Sequence, residues 1–155
     1  MAWTNSKIFM ALIEDSLEDT AAFNVDADNI KAALFDNTIT PSQTVASAST
    51  AYGAGVWATG GVFDASGWPA VGRQLLSVTS GFASNVYTFD AADTVSANGT
   101  TTLTNAYGTL VYNDTLASPV ADQGLSFNYF GGANSVTSGT FTIIWHTNGI
   151  IQFTL

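Results

Sequence analysis

One histidine, His146, and twelve scattered carboxylates are the side chains of this sequence best suited to proton transfer or metal binding, and there is no cysteine. A histidine acts as a base, a nucleophile or a ligand only when partner groups orient it. The strand neighbours of His146 are threonine and isoleucine, so it reads as a polar-face strand residue. Asp26, Asp28, Asp36 and Asp64 do not follow the Asp-x-Asp-x-Asp-Gly spacing with a downstream Glu that encloses calcium, and they read as solvated turn residues. Glu14 with Asp15, or Glu18 with Asp19, is a pairing that a glycosidase could use. Adjacent acids on one segment are more simply a solvated face. Gly53-Ala54-Gly55 and Gly60-Gly61 lack the Lys-Ser/Thr and the following helix of a phosphate loop. Asn98-Gly99-Thr100 and Asn113-Asp114-Thr115 fit glycosylation acceptors, but no secretion signal accompanies them. The expectation is a protein without catalytic residues, cofactor or metal.

A different kind of candidate lies between Ser42 and Gly72, where regular patterning fades into a long Gly/Ala/Ser loop carrying Tyr52, Trp57, Phe63 and Trp68. Loops of this length in a compact domain are usually functional or ordered by a partner. Two readings of Trp57 and Trp68 stand side by side: they fold back as plugs of the core, or they anchor a protein interface as aromatic hot spots do. Sugar stacking is a third. Tyr52, Trp57, Phe63 and Trp68 are therefore the candidate partner contacts.

The totals narrow the partner. A single domain of 155 residues buries about 70% of its unfolded surface. Hydrophobic residues are 46% and charged ones 10%, enough apolar content for a packed core. The formal charge is −9, and Lys7, Lys31 and Arg73 are the only cations. Three dispersed cations cannot displace phosphate counterions, so nucleic acid is excluded as a partner, and anionic membrane surfaces are disfavoured for the same reason. No apolar run approaches a membrane span. The start of the chain lacks the basic region and cleavage site of a signal peptide. With no cysteine, folding in a reducing cytoplasm is expected.

The elements that would carry these residues are mostly strands. Ser6 to Leu17 has Ile8, Phe9, Leu12, Ile13 and Leu17 at helical spacing, with Asn5 or Ser6 as the cap; a helix is favoured there over a buried strand. Residues 1–28 form an N-terminal arm with this helix, Asn24 to Asp28 being an acidic turn. Residues 29–155 form the β core, with the long loop at 42–72. Strands are expected at Asn29–Phe35, Gln74–Thr79, Val86–Asp90, Leu103–Tyr112 and over the alternation Leu125, Phe127, Tyr129. Gly81 to Asn85 is read as a connection, as are Asp90–Thr100 and Thr115–Asp122. Gly131-Gly132 with Asn134 to Ser138 is read as a turn into a final hairpin. That hairpin, Gly139 to Leu155, has apolar residues alternating on both sides of Asn148-Gly149. A three-residue loop, Thr147-Asn148-Gly149 with Gly149 in the left-handed region, puts Phe141, Ile143 and Trp145 on one face with Ile151, Phe153 and Leu155. The fold class is all-β with a short N-terminal helix, an antiparallel β-sandwich or partial barrel ending in a C-terminal hairpin.

Read in order, the later segments resemble small virion structural proteins of tailed bacteriophages. Members carry an "IKVAL" strand, a "VSGTGYTAGG" loop, then "FDADD", "ARYAVLYKDT" and a close such as "NGTFTIQWDANGIFTL". Here the matching stretches are NIKAALF (29–35), DASGWPAVG (64–72), FDAAD (89–93), NAYGTLVYNDT (105–115) and GTFTIIWHTNGIIQFTL (139–155). The resemblance spans about three quarters of the chain, and its C-terminal part is the more specific. This sequence departs from the pattern in a longer loop from Tyr52 to Phe63, in Trp68-Pro69 where Gly-Tyr is usual, and in lacking a Trp after the acidic stretch. The resemblance implies a non-enzymatic head decoration or minor capsid protein on the outer capsid surface of a virion. It would contact the major capsid protein and assemble as a homo-oligomer, a trimer being favoured. A tail or baseplate component that binds a receptor or glycan is the alternative.

Overall fold

The computed structural model describes residues 3–18 and 20–154. The chain begins with a two-residue strand β1 (Lys7–Ile8) and a helix α1 (Met10–Leu17), and reaches its central strand at β2 (Ile30–Phe35). A four-residue helix α2 (Ser47–Thr50) and a 3₁₀ turn (Gly55–Ala58) interrupt the long loop, followed by β3 (Gly61–Val62) and β4 (Arg73–Gln74). A hairpin of β5 (Thr79–Ala83) and β6 (Val86–Asp90), a short β7 (Thr94–Val95), and two long strands, β8 (Thr101–Asn113) and β9 (Gly124–Gly139), come next. The chain closes on β10 (Thr142–Ile143) and β11 (Ile151–Thr154). Among the described residues these strands form three antiparallel sheets: β1-β9-β8-β2 with β3 and β4 beyond, β11-β6-β5, and β10-β7. None of them closes into a barrel.

Period-two alternation in β2 divides the interior. Ile30, Ala32 and Leu34 face one apolar cluster, and Ala33 and Phe35 face the other. Both faces of the strand are covered, which is why it reads as an almost unbroken apolar run. On the first face lie the two small sheets, contributing Phe89, Ile143 and Ile151. On the second lie Trp3, Phe9, Ile39 and Trp57, with Val45 and Tyr52 packed against them. Leu125 and Phe127 of β9 are two apart yet belong to opposite clusters. A register shift against β8 between Val111 and Tyr112 places an extra residue at Leu125 and reverses the alternation there. Gly108 lies beneath the Trp3 ring, and a Cβ added there would meet ring atom Cζ3 at 2.5 Å and the Asn128 carbonyl at 2.6 Å.

Several sequence expectations need correction. No single strand spans Gln74–Thr79: β4 ends at Gln74 and β5 begins at Thr79, with Ser77 at φ +52° between them. The N-terminal helix starts later than Ser6: residues 7–8 pair with Phe127 and Ser126 of β9, and the N-cap position is Phe9. Ser6 instead accepts the Tyr129 N–H at 3.0 Å. Gly131-Gly132 and Asn134 to Ser138 form no turn; β9 runs through them opposite β8, with three register shifts between Thr101 and Gly108 absorbing the glycines. Gly81 to Ala83 belong to β5, and the turn is Ser84-Asn85 alone. Both of those residues have positive φ, as a two-residue turn with the twist of its strands requires.

The largest correction concerns the C-terminal hairpin, whose arms do not pair with each other. Thr142 and Ile143 pair with Val95 and Thr94, whereas Ile151 to Thr154 pair with Phe89 to Val86. The chain turns where expected: the Gly149 N–H donates to the His146 carbonyl at 2.8 Å, and Gly149 has φ +88°. The turn joins strands of two different sheets. The faces were nonetheless legible, because Phe141, Ile143 and Ile151 are buried in the first cluster with Trp145 and Phe153 beside them, and Ile144 is 77% exposed. Leu155 lies outside the described residues.

Candidate functional site

The loop aromatics go to three different places. Trp57 is 2% exposed and packs edge-on against Phe35, with ring centroids 5.0 Å apart. Trp68 is fully buried on the opposite side of the large sheet, donating its indole N–H to the Ala32 carbonyl at 3.2 Å and meeting Phe141 edge-on. Both indoles are core plugs, and neither offers a face to a sugar or a partner. Tyr52 is half-buried, stacked on Tyr112 at 5.0 Å. Phe63, 57% exposed, is the one of the four that presents its ring to solvent.

A groove of about 470 Å³ opens elsewhere, between α1 and the sheet β11-β6-β5. One wall is the helix, through Leu12, Ile13, Ser16 and Leu17. The other is a single face of the sheet. The register pairs Phe82 with Tyr87, Tyr87 with Phe153, and Phe89 with Ile151, so these side chains project to the same side. Phe23 and Val25 also line it, and among the described residues the lining contains no carboxylate, amine or imidazole. At its mouth apolar groups meet water: Leu17 is 81% exposed, Phe82 63% and Ile13 41%. Met10, Ile13 and Leu17 lie at i, i+3 and i+7, an outward apolar stripe beyond the inward set Ala11, Leu12 and Asp15. The sequence carried a signal for this groove: α1 has more apolar positions than one buried face can use.

Asp15, expected on a solvated face, is buried on the inner side of α1. Its carboxylate accepts from Gln123 Nε2 at 2.6 Å, Ser47 Oγ at 2.7 Å and Thr20 Oγ1 at 3.1 Å. Burial opposes the charge, but the hydrogen bonds from Ser47, Gln123 and Thr20 outweigh it and hold the pKa below the ordinary 3.8. The network fixes the helix wall of the groove to α2 and to the residue preceding β9.

Several other acids are engaged in loop structure, and Asp19 lies outside the described residues. Asp28 accepts the Asn24 N–H and the Asn113 amide, Asp26 accepts the Ser80 hydroxyl, and Asp36 accepts the Thr38 N–H. Among the described residues no group of three His, Asp or Glu side chains is placed to hold a metal ion. His146 is exposed, and its Nδ1 accepts the Asn148 N–H within the turn. Asp114 bridges Lys31 at 2.8 Å. Burial, then the nearby Asp114, raises the pKa of Asp122.

Asp64 organises the loop that delivers Trp68. One carboxylate oxygen accepts from the Ser66 hydroxyl and N–H and from the Gly67 N–H, and the other accepts the Thr102 N–H at 2.7 Å. The Ser66 hydroxyl, followed by the Thr102 and Ser66 amides, lowers its pKa to about 2. A depressed folded pKa contributes stability above the unfolded value near 3.8 that is lost as pH falls through about 2. A carboxyl-carbon NMR titration should therefore place the Asp64 midpoint near 2. Asp64→Asn should flatten the stability profile between those two pH values.

Among the described residues no helix is long and apolar enough to cross a membrane. Compared with protein-family models, curated protein sequences and solved structures, the chain has no significant match in any of the three.

Proposed function

We propose that this protein is a non-enzymatic structural component of a tailed-phage virion, a decoration or minor capsid protein that docks on the outer capsid surface and braces the shell. The supporting observation is the groove, an open cleft lined among the described residues almost wholly by apolar side chains, whose rim leaves Leu17 and Phe82 in water. Such a surface gains free energy by being covered. The resemblance of the C-terminal segments to virion proteins supplies the setting, with the major capsid protein as partner and a homotrimer as the assembly it implies. The acidic remainder of the surface keeps the outward side soluble.

Cryo-electron microscopy of purified particles should find the chain as density on the outer head surface. Density confined to the interior, to the tail or baseplate, or to no part of the particle would remove this reading. A second measurement separates docking from folding. Leu17→Lys with Phe82→Lys replaces two exposed side chains, so stability should change by no more than about 0.5 kcal/mol for each. Binding to particles that lack the protein should weaken about tenfold or more, because each new ammonium must be desolvated. Unchanged binding would place the docking surface elsewhere.

A further inference from the structure

Strand β5 is an outer strand of its sheet, and four of its five residues, Thr79, Gly81, Phe82 and Ala83, are exposed. Ladder alternation fixes which backbone groups point outward. The residues flanking a two-residue turn exchange hydrogen bonds, so Ala83, Gly81 and Thr79 bond to β6, and Ser80 and Phe82 direct their N–H and C=O groups to the open edge. Proteins usually protect such edges with a lysine, a proline or a bulge. β5 reads Thr-Ser-Gly-Phe-Ala in unbroken register and has none of these, whereas β1 at the edge of the large sheet carries Lys7. The same strand supplies Phe82 to the groove, so the unprotected edge and the apolar cleft form one continuous surface.

Charge decides what covers it. Asp26 is held at the edge by the Ser80 hydroxyl at 2.8 Å, Glu14 stands on α1 beyond its apolar stripe, and Glu18 is its C-cap. Among the described residues no cation lines the groove, and the chain as a whole carries −9. A second copy would bring acid against acid. We infer that β5 and the groove receive an extended segment of another protein, apolar on alternate residues and flanked by lysine or arginine, which adds as a fourth strand beside β5. Its backbone bonds to Ser80 and Phe82, its inward side chains continue the apolar face that Phe82 begins, and its cations meet the rim carboxylates. The inference stands on β5 and the groove alone, so it survives a partner outside a phage particle.

The probe is the end-blocked peptide Lys-Val-Thr-Val-Thr-Val-Thr-Lys, added to the isotope-labelled full chain. The expected result is slowing of Ser80 and Phe82 amide exchange by about tenfold or more, together with shifts of the Leu17 methyls. The same peptide with glutamate ends should bind about fivefold more weakly or worse. Ser80→Pro removes an outward N–H that β6 does not use, so the fold should persist and peptide binding should be lost. Amides unaffected by the lysine peptide, equal response to the glutamate peptide, or undiminished binding to a folded Ser80→Pro would each overturn the inference. So would a free protein that is already dimeric with those two amides protected, which would make a second copy the occupant. The amide pattern of the unaltered chain decides the matter even if the proline variant fails to fold. Particle mapping and peptide binding can fail separately, which keeps this inference distinct from the proposed function.

Discussion

Trp68→Ala should destabilise the protein by about 3–5 kcal/mol in urea unfolding, a large share of the roughly 5–15 kcal/mol that holds a domain of this size together. The ring is fully buried in the cluster between the large sheet and the two small ones. Its removal leaves a cavity, withdraws a donor from the Ala32 carbonyl, and strips Phe141 of an edge contact with centroids 5.6 Å apart. Phenylalanine substitutions separate these contributions. Trp68→Phe loses the hydrogen bond as well as volume. Trp57→Phe loses volume only, because the Trp57 Nε1 is buried without a hydrogen-bond partner among the described residues. The first should therefore cost more than the second, by about 1 kcal/mol. Equal costs would mean that the Trp68 bond to Ala32 contributes nothing net. Neither change should affect the proposed particle docking in protein that remains folded, since neither ring reaches the surface.

The strands were legible where a short apolar run is closed by turn residues, whether or not its partners are near in sequence. Ile30–Phe35 and Val86–Asp90 appear within one residue of expectation because apolar runs closed by turn residues leave few alternatives. The C-terminal segment marks the limit of this reasoning. Alternation around Asn148-Gly149 indicates that Phe141, Ile143 and Ile151 are buried, but it misses Ile150, which also packs against the first cluster, and it does not specify the partner strand. Pairing was decided by long-range competition: Phe89 and Thr94 lie on strands able to receive the two arms separately. Ser6 to Ile8 illustrates a similar override, in which the free edge of β9 captured residues with adequate helical spacing. The glycines of β9 read as a turn because glycine usually interrupts a strand; here the extra residues are taken up as bulges. The groove was half legible. The surplus of apolar positions on α1 is visible in the sequence, but the sheet face opposite it depends on a register that only the fold supplies.

Asp15→Ala should have the second-largest effect, about 3 kcal/mol at neutral pH, because it withdraws one acceptor from three donors at once. Gln123 suffers most. It is fully buried, its Oε1 already lacks a partner among the described residues, and its Nε2 would be left without one. In a chain of this length the loss corresponds to a fall in Tm of roughly 6–12 °C. Asp15→Asn should cost less, since the amide oxygen still accepts while its NH₂ group faces other donors. The pH dependence follows from the depressed folded pKa: the contribution is fully present above the unfolded value near 3.8 and is lost as pH falls through the lower folded value. The gap between melts of the wild type and Asp15→Ala should therefore be widest above pH 4 and narrow, without closing, in strongly acidic buffer, where the protonated carboxyl still accepts hydrogen bonds. The consequence reaches the groove. Ser47 and Gln123 fasten α1 through this carboxylate, and α1 carries Ile13 and Leu17 as one wall. At temperatures where Asp15→Ala is still folded, exchange of the α1 amides should quicken while those of β2 stay slow, and binding of the lysine-ended peptide should weaken. If peptide affinity held while α1 loosened, β5 alone would be carrying the contact and the helix wall would be dispensable.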